Sequence, residues 1–234
     1  MTMKPFDSAP PKMTHTLRAL AWLLRYPDAE LRALLPPLRD ALHAEAALDA
    51  GRLTELDALV GQFLGIAPLR TEAEYVELFD RGRRTALHLF EHVHGDSRDR
   101  GPAMVDLAQT YERAGLYLAP GELPDYLPVV LEFASTQPPV QAREFLREIA
   151  HVVRAIFSAL LERQSPYASV LAAVLDLAGE RAERVPLPAE PAMDESWEEP
   201  EAFGGCSAQG QSRPNDVQPV HVVRPARAPN RAAA

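Results

Sequence analysis

The chain has 234 residues, a net charge of −9, 47% hydrophobic residues and a single cysteine, Cys206. This length can form one large domain with its own core, while a lone cysteine excludes an intrachain disulfide framework and a zinc site built from cysteines alone. The acidic balance disfavours a nucleic-acid binder, and no uncharged stretch approaches the roughly 20 residues of a membrane helix, so we expect a cytoplasmic protein without a secretory signal.

Prolines and an aspartate set the limits of the first two predicted helices. The apolar face of the first helix consists of Leu17, Leu20, Ala21 and Leu24. Pro27 ends this helix, and Asp28 is the expected N-cap of the second. Within the second helix, the pair Pro36-Pro37 predicts a kink or a split.

The next two helices are predicted from an apolar face and a cap. Apolar residues at helical spacing over 53–64 indicate a helix that Gly65 closes. Thr71 and Glu74 stand at capping-box spacing, which predicts that a new helix begins after Thr71.

The second half of the chain continues the helical pattern. Periodic apolar residues predict helices over 107–114, ended by Gly115, and over 127–134, 145–160 and 170–178. Ser165-Pro166 is expected to supply the N-cap and first residue of the last helix. Because no segment shows sustained apolar and polar alternation, we predict an all-α bundle of about eight or nine helices.

Composition divides the chain into three parts. Residues 1–13 are proline-rich and are predicted to form a disordered arm, and residues 14–185 form the helical domain. Residues 186–234 contain 8 of the 22 prolines and only Leu187 among leucines and isoleucines. Such a segment buries too little apolar surface to offset its ordering entropy, so we predict a flexible tail.

One short motif carries the spacing of a zinc site. His88, Glu91 and His92 follow the H-x-x-E-H order of inverted zinc peptidases. Two histidines four residues apart share one helix face, and Glu91 would be the general base. A zinc-dependent hydrolase is therefore one alternative, although the sequence indicates no third ligand. The other interpretation is a partly exposed polar helix end.

A second candidate is a polar cluster of alternating charge. It consists of Asp80, Arg83, Arg84, Glu91, His92, Asp96, Arg98 and Asp99. Arginines alone would suggest phosphate binding, but the interspersed carboxylates favour mutual ion pairing with a structural role. The sequence contains no Walker loop and no dinucleotide-binding motif, so it does not indicate a nucleotide site.

The third candidate is the link Glu122-Leu123-Pro124-Asp125-Tyr126-Leu127-Pro128. Its two prolines restrict the backbone just before a predicted helix. Two interpretations remain open. Asp125 is a favourable carboxylate in a capped turn, or the link is a rigid hinge that presents acidic and aromatic groups to a ligand.

Several of these segments together resemble a known family. The runs Glu74–Arg84, Leu89–Met104 and Leu123–Pro128, with Leu131-Glu132-Phe133, are similar to the delta subunit of respiratory nitrate reductase, a molybdenum cofactor assembly chaperone. Trp197–Pro200 and Phe203 also resemble the end of that family. The resemblance covers about residues 14–205, and Tyr126 stands where the wider class of redox-enzyme maturation chaperones usually has a histidine.

The resemblance implies an all-helical chaperone that is not an enzyme and holds neither a cofactor nor a metal. Its partner would be the catalytic alpha subunit of nitrate reductase, alone or with the beta subunit, bound chiefly through the alpha subunit's N-terminal segment. The apoenzyme would be kept competent for cofactor insertion before membrane assembly. A helical scaffold that only bridges subunits is a further alternative.

The expected binding mode is an amphipathic client helix in a groove between helices. Three carboxylates would meet basic residues of the client, and four aromatic rings would form the apolar walls. These residues are Glu122, Asp125 and Glu132, and Tyr75, Phe79, Tyr126 and Phe133.

Overall fold

The computed structural model describes residues 10–95 and 97–187. Within this range the chain forms nine α-helices, which confirms the predicted all-α fold. They are α1 (Thr14–Leu23), α2 (Ala29–Glu45), α3 (Ala50–Gly65), α4 (Pro68–Tyr75), α5 (Leu89–Val93), α6 (Arg100–Arg113), α7 (Leu127–Thr136), α8 (Pro139–Glu162) and α9 (Ala168–Ala178). A π-helical turn (Val76–Asp80) and a 3-10 turn (Arg83–Thr85) connect α4 to α5. The predicted tail beyond residue 187 and most of the predicted arm lie outside the described residues.

Helix α9 lies at the centre of the domain. Nine of its eleven residues are buried, because α8, α3 and α1 all pack around it. A helix that is apolar on every side can only be stable when it is enclosed in this way. Helix α1 also packs against α7 and α2, and Met13, directly before α1, is buried in the core. The bundle thus places α1 and α7 side by side.

Side chains satisfy the first N–H groups of α1 and α2 in two different ways. Asp28 caps α2 as predicted, since its Oδ1 accepts a 2.9 Å hydrogen bond from the N–H of Leu31. The start of α1 is capped from a distance by Glu45, whose carboxylate accepts the N–H of Thr16 at 2.6 Å. Burial opposes ionisation of Glu45, but the hydrogen bonds from Thr16 outweigh it and lower the pKa of this carboxyl group.

Of the kink or split expected at Pro36-Pro37, the split does not occur, since α2 is continuous from Ala29 to Glu45. Both prolines are exposed, so water can solvate the carbonyl groups that their missing N–H groups leave unpaired. Leu35 and Leu42 are buried on either side of the prolines, and their packing keeps both halves of the helix on the core.

Two predicted helix starts lie elsewhere. The capping box at Thr71 and Glu74 is wrong, because α4 already begins at Pro68 and Thr71 is buried in the middle of it. Proline is favoured in the first turn of a helix, and it starts α4 here. At the last helix, Ser165 Oγ accepts the N–H of Tyr167 at 3.4 Å in a turn, and α9 proper begins at Ala168.

None of the helices in the described part of the chain combines the length and the apolar character needed to span a bilayer.

Candidate functional site

A surface cleft runs between α1, α7 and the segment that joins α6 to α7. We call it the α1–α7 cleft. Its first chamber has a volume of about 310 Å³ and its second about 500 Å³. The two chambers adjoin, because Trp22 and Glu122 line both. A cleft of this size can accept several side chains of a bound peptide.

Aromatic and aliphatic side chains form most of the first chamber. Phe133 of α7 lies at its base, where its ring centroid is 4.6 Å from that of Tyr111. Tyr117 stands at its rim and is 80% exposed, which is unusual for so large a ring. Trp22 contributes the wall on the α1 side.

The second chamber is richer in charge. Asp28, Glu30 and Glu122 line it together with Arg25, and Tyr126 and His88 form its inner end. Three carboxylates and one arginine line this chamber, so it favours a cationic group over an anionic one.

Two arginines, Arg18 of α1 and Arg25 just after it, already contact the cleft walls. The guanidinium of Arg25 lies 4.6 Å from the centre of the Trp22 ring and 3.8 Å from the carboxylate of Glu132 on α7. Arg18 donates from Nε to Ser135 Oγ at 3.2 Å. These contacts connect the two helices across the cleft without filling it.

Asp125 lies beneath the cleft instead of in it, because its side chain is fully buried. Its Oδ2 accepts the N–H of Phe90 at 3.1 Å, and its Oδ1 is 3.4 Å from Nδ1 of His88. Asp125 therefore supplies an acceptor to the first turn of α5, a helix 35 residues earlier in the chain. Neither of the two interpretations of this link described that arrangement.

The backbone repeats the same connection. The N–H of Leu89 donates to the carbonyl of Asp125 at 3.0 Å, and the N–H of Leu127 donates to the carbonyl of Leu87 at 2.9 Å. Between these bonds His88 and Tyr126 form an isolated antiparallel bridge, and their rings stack with centroids 5.2 Å apart. We call this contact the 88–126 bridge. It fixes the inner end of the cleft.

The hydrogen bond from His88 to Asp125 has an electrostatic consequence. The carboxylate stabilises the imidazolium form and so raises the pKa of His88, although partial burial acts in the opposite direction. His88 is the histidine that lines the cleft, so the protonation of this side chain is linked to its bond with Asp125.

Tyr75 and Phe79, expected as groove walls, belong to the core. Their rings pack together at 4.8 Å, and each contacts Tyr167. The hydroxyl of Tyr75 donates to the carbonyl of Leu24 at 2.8 Å and lies 3.3 Å from that of Tyr126. Burial raises the pKa of Tyr75 far above its usual value. These rings support the cleft from behind.

The predicted polar cluster divides between several partners. Arg84 pairs with Glu162 of α8 at 2.8 Å, and Arg100 pairs with Glu91 at 3.4 Å. Ser97 Oγ donates to Asp99 at 3.2 Å. Asp80, Arg83 and Arg98 are exposed to solvent, and Asp96 lies outside the described residues.

The H-x-x-E-H motif does not form the expected helix face. His88 precedes α5 with an extended backbone, since it takes part in the 88–126 bridge. His92 is inside α5, and its Nε2 lies 2.8 Å from the carbonyl oxygen of Ala86. The two imidazoles therefore have different partners. Over the described residues, no group of three or more metal-ligating side chains is present.

Sequence reasoning missed the α1 side of the cleft. Arg18, Trp22 and Arg25 are spaced four and three residues apart, so at helical spacing they form a stripe beside the apolar one. A tryptophan on the polar face of an amphipathic helix is the signal that could have identified this wall.

A family model described as nitrate reductase delta subunit matches residues 26–173. The nitrate reductase molybdenum cofactor assembly chaperone NarJ of Escherichia coli (strain K12) is 44% identical over 156 residues, which cover 67% of this chain and 66% of the relative. The chain thus aligns with slightly less than two thirds of that relative. A probable NarJ of Bacillus subtilis (strain 168) is 34% identical, over 68% of this chain and 86% of the relative.

One solved structure shares the fold. A putative redox enzyme maturation protein from Archaeoglobus fulgidus superimposes with a TM-score of 0.50 and 20% identity, covering 76% of this chain and all of that one.

Proposed function

Because the chain belongs to the nitrate reductase delta subunit family, we propose that it is an assembly chaperone of a nitrate reductase and not an enzyme. The relatives' names support this proposal, since those from Escherichia coli and Bacillus subtilis are described as molybdenum cofactor assembly chaperones. The chaperone would act in the cytoplasm on the catalytic alpha subunit, alone or with the beta subunit, before cofactor insertion and membrane assembly.

The single observation that supports a binding role is the α1–α7 cleft. Exposed apolar surface of this kind is retained in a folded protein mainly where a partner covers it. We propose that an amphipathic helix at the N-terminus of the alpha subunit lies in the cleft. Its apolar side chains would contact Trp22, Tyr117 and Phe133, and apolar burial would supply most of the affinity.

Charge would set the orientation of this helix. Glu122 and Glu132 are exposed at the cleft and can meet basic residues of the client. Such rim charges mainly increase the association rate and fix the register. Asp125, which is buried, would act by holding the 88–126 bridge, and Tyr126 would contact the client from the second chamber.

Titration of the alpha subunit's N-terminal peptide against the full chain tests this site. Tyr117→Ala should weaken binding about five- to thirtyfold, as truncation of an interface aromatic commonly costs about 1–2 kcal/mol. Glu132→Gln should lower the association rate and its salt dependence. The matched controls are Leu69→Ala, at a residue 81% exposed on α4, and Glu144→Gln on α8, which should both bind like the wild type. Equal effects of cleft and control variants would exclude the cleft.

Co-purification tests the maturation role. The full chain should recover the alpha subunit preferentially from cells that cannot synthesise the molybdenum cofactor. Equal recovery of cofactor-free and cofactor-loaded subunit, or a persistent place in the finished complex, would instead favour a subunit-bridging scaffold.

A further inference from the structure

The arginine-rich segment after α4 meets two more arginines from the end of α8 and beyond α9. We propose that this arginine surface, made of Arg81, Arg83, Arg84, Arg163 and Arg184, binds a short acidic segment of a partner protein. The surface shares no lining residue with the α1–α7 cleft, so the inference does not depend on what the cleft binds.

Ion pairs and a hydrogen bond bring these arginines together although they are far apart in sequence. Arg84 and Arg184 pair with the two oxygens of Glu162, at 2.8 and 3.0 Å. Arg163 donates to the backbone carbonyl of Glu77 at 3.5 Å, and Arg81 pairs with the carboxylate of the same residue at 3.0 Å. Glu162 and Arg163 are adjacent in the chain, so the two pairs adjoin, and Arg83 is exposed next to Arg84 in the 3-10 turn.

Close packing fixes the base of this surface. Gly82 is buried, and a Cβ atom there would overlap Thr85 Oγ1 and the carbonyl of Leu78 and lie 3.3 Å from the guanidinium of Arg163. Arg84, the least exposed of the arginines in these ion pairs, is held at the base by Glu162. Because the base is closely packed, binding there needs no rearrangement of the backbone, and the entropy lost is that of the exposed arginine side chains.

The charge of the surface is opposite to that of the molecule. Five guanidinium groups stand against three carboxylates, the paired Glu77 and Glu162 and the exposed Asp80 next to Arg81, while Glu183 pairs with Arg181 outside the cluster. The cluster therefore keeps an excess of positive charge in a chain whose net charge is −9. The side chains of Arg81 and Arg184 are 73% and 61% exposed, so they can exchange their present partners for those of a ligand. Guanidinium groups bind carboxylates in a bidentate geometry.

Its small extent favours a short acidic peptide over a larger polyanion. A nucleic acid or an anionic bilayer would extend beyond the five arginines onto the surrounding acidic surface, where it would be repelled. Nucleic-acid sites also use exposed aromatic rings for stacking. In the described part of the chain, the exposed aromatic side chains are Tyr26 and Tyr117, and both line the cleft.

The test is fluorescence anisotropy of a labelled hexaglutamate peptide with the full chain at about 50 mM salt, where surface charges are weakly screened. The wild type should bind, and affinity should fall with added salt. The triple variant Arg81→Gln, Arg83→Gln, Arg184→Gln should bind about tenfold more weakly, since each exposed ion pair contributes a factor of roughly two to three. All three side chains project to solvent, so the fold should be preserved, as circular dichroism can verify.

The control has the same change of charge elsewhere. Arg39→Gln, Arg70→Gln, Arg113→Gln removes three exposed arginines of α2, α4 and α6 and should bind like the wild type. Equal weakening in both triple variants, no binding by the wild type, or tighter binding to duplex DNA or phosphatidylserine vesicles than to the peptide would each overturn the proposal.

Discussion

At the scale of single residues, Asp125 connects the two sequence segments that frame the cleft. Its carboxylate is fully buried and meets the first turn of α5 and the ring of His88. A buried carboxylate is tolerated only where hydrogen bonds replace its hydration. Loss of this carboxylate should therefore reduce the stability of the fold more directly than it reduces client binding.

Asp125→Asn should lower the free energy of unfolding by about 1–3 kcal/mol, since the amide keeps the shape but loses the charge-assisted bonds. Urea denaturation measures the change. Asp106→Asn, at an exposed aspartate of α6, is the matched control and should change stability by less than about 0.5 kcal/mol. A similar loss in both variants would show that Asp125 has no special role.

His88 should make stability depend on pH. Because its pKa is raised in the folded state by the bond to Asp125, the native protein binds this proton more tightly than the unfolded chain does. The stabilisation is fully present below the ordinary histidine pKa and is lost as the pH rises through the raised value. Urea midpoints measured between about pH 5 and pH 9 should show this decline.

His88→Gln should remove that part of the decline, whereas His151→Gln, at an exposed histidine of α8, should retain it. If wild type and His88→Gln followed parallel curves, the proton would not be linked to folding through this residue.

Residue-scale features of the cleft were only partly predictable. Glu122, Glu132 and Phe133 line the cleft, since they flank or lie within a strongly marked helix, and their contact with a client stays a prediction. The burial of Asp125 was not predictable, since its partners at Phe90 and His88 are remote in sequence and local rules describe only nearby residues.

At the scale of elements, the turn between α4 and α5 is set by close contact. The π-helical turn brings the Leu78 carbonyl against Thr85, and Gly82 leaves the space that this approach needs. The backbone φ of Gly82 is an ordinary −93°, so glycine is needed here because there is no space for a Cβ atom and not because of a special backbone conformation.

Gly82→Ala should therefore destabilise the protein by about 1–3 kcal/mol through overpacking. Gly61→Ala in α3 is the matched control, because a Cβ there meets nothing within 4 Å and the residue is helical. That change should stabilise by about 0.5–1 kcal/mol. Thermal or urea unfolding of both variants checks the opposite signs, and the same sign in both would contradict the packing argument.

Most helices were predictable because their faces repeat every 3.6 residues, and Asp28 and Gly115 marked ends correctly. Errors arose where one local signal competed with another. Pro68 outweighed the cap at Thr71, and packing of α2 outweighed Pro36-Pro37.

At the scale of the whole molecule, cooperativity should depend on α9. Its side chains contact α8, α3 and α1, so each truncation leaves a cavity that several helices line. The sequence indicated a buried helix here by its uniform apolar character, but not which helices surround it, because those contacts join distant parts of the chain.

Leu171→Ala should lower the free energy of unfolding by about 2–5 kcal/mol while the transition remains a single step. Leu161→Ala is the matched control, as Leu161 is 40% exposed at the end of α8 and should cost clearly less. Urea unfolding followed by circular dichroism and by fluorescence tests both statements. A small loss at Leu171 would place the centre of the core elsewhere.

The 88–126 bridge closes a long excursion of the chain. The segment between residues 90 and 124 begins and ends at this bridge. In α6, which belongs to the segment, Tyr111 is the one buried residue. A segment with so few buried residues can unfold locally as one cooperative unit while the helices behind it stay folded. Amide hydrogens of α6 should then exchange with deuterium together and much sooner than those of α9, with the paired amides of Leu89 and Leu127 marking the boundary between the two regimes.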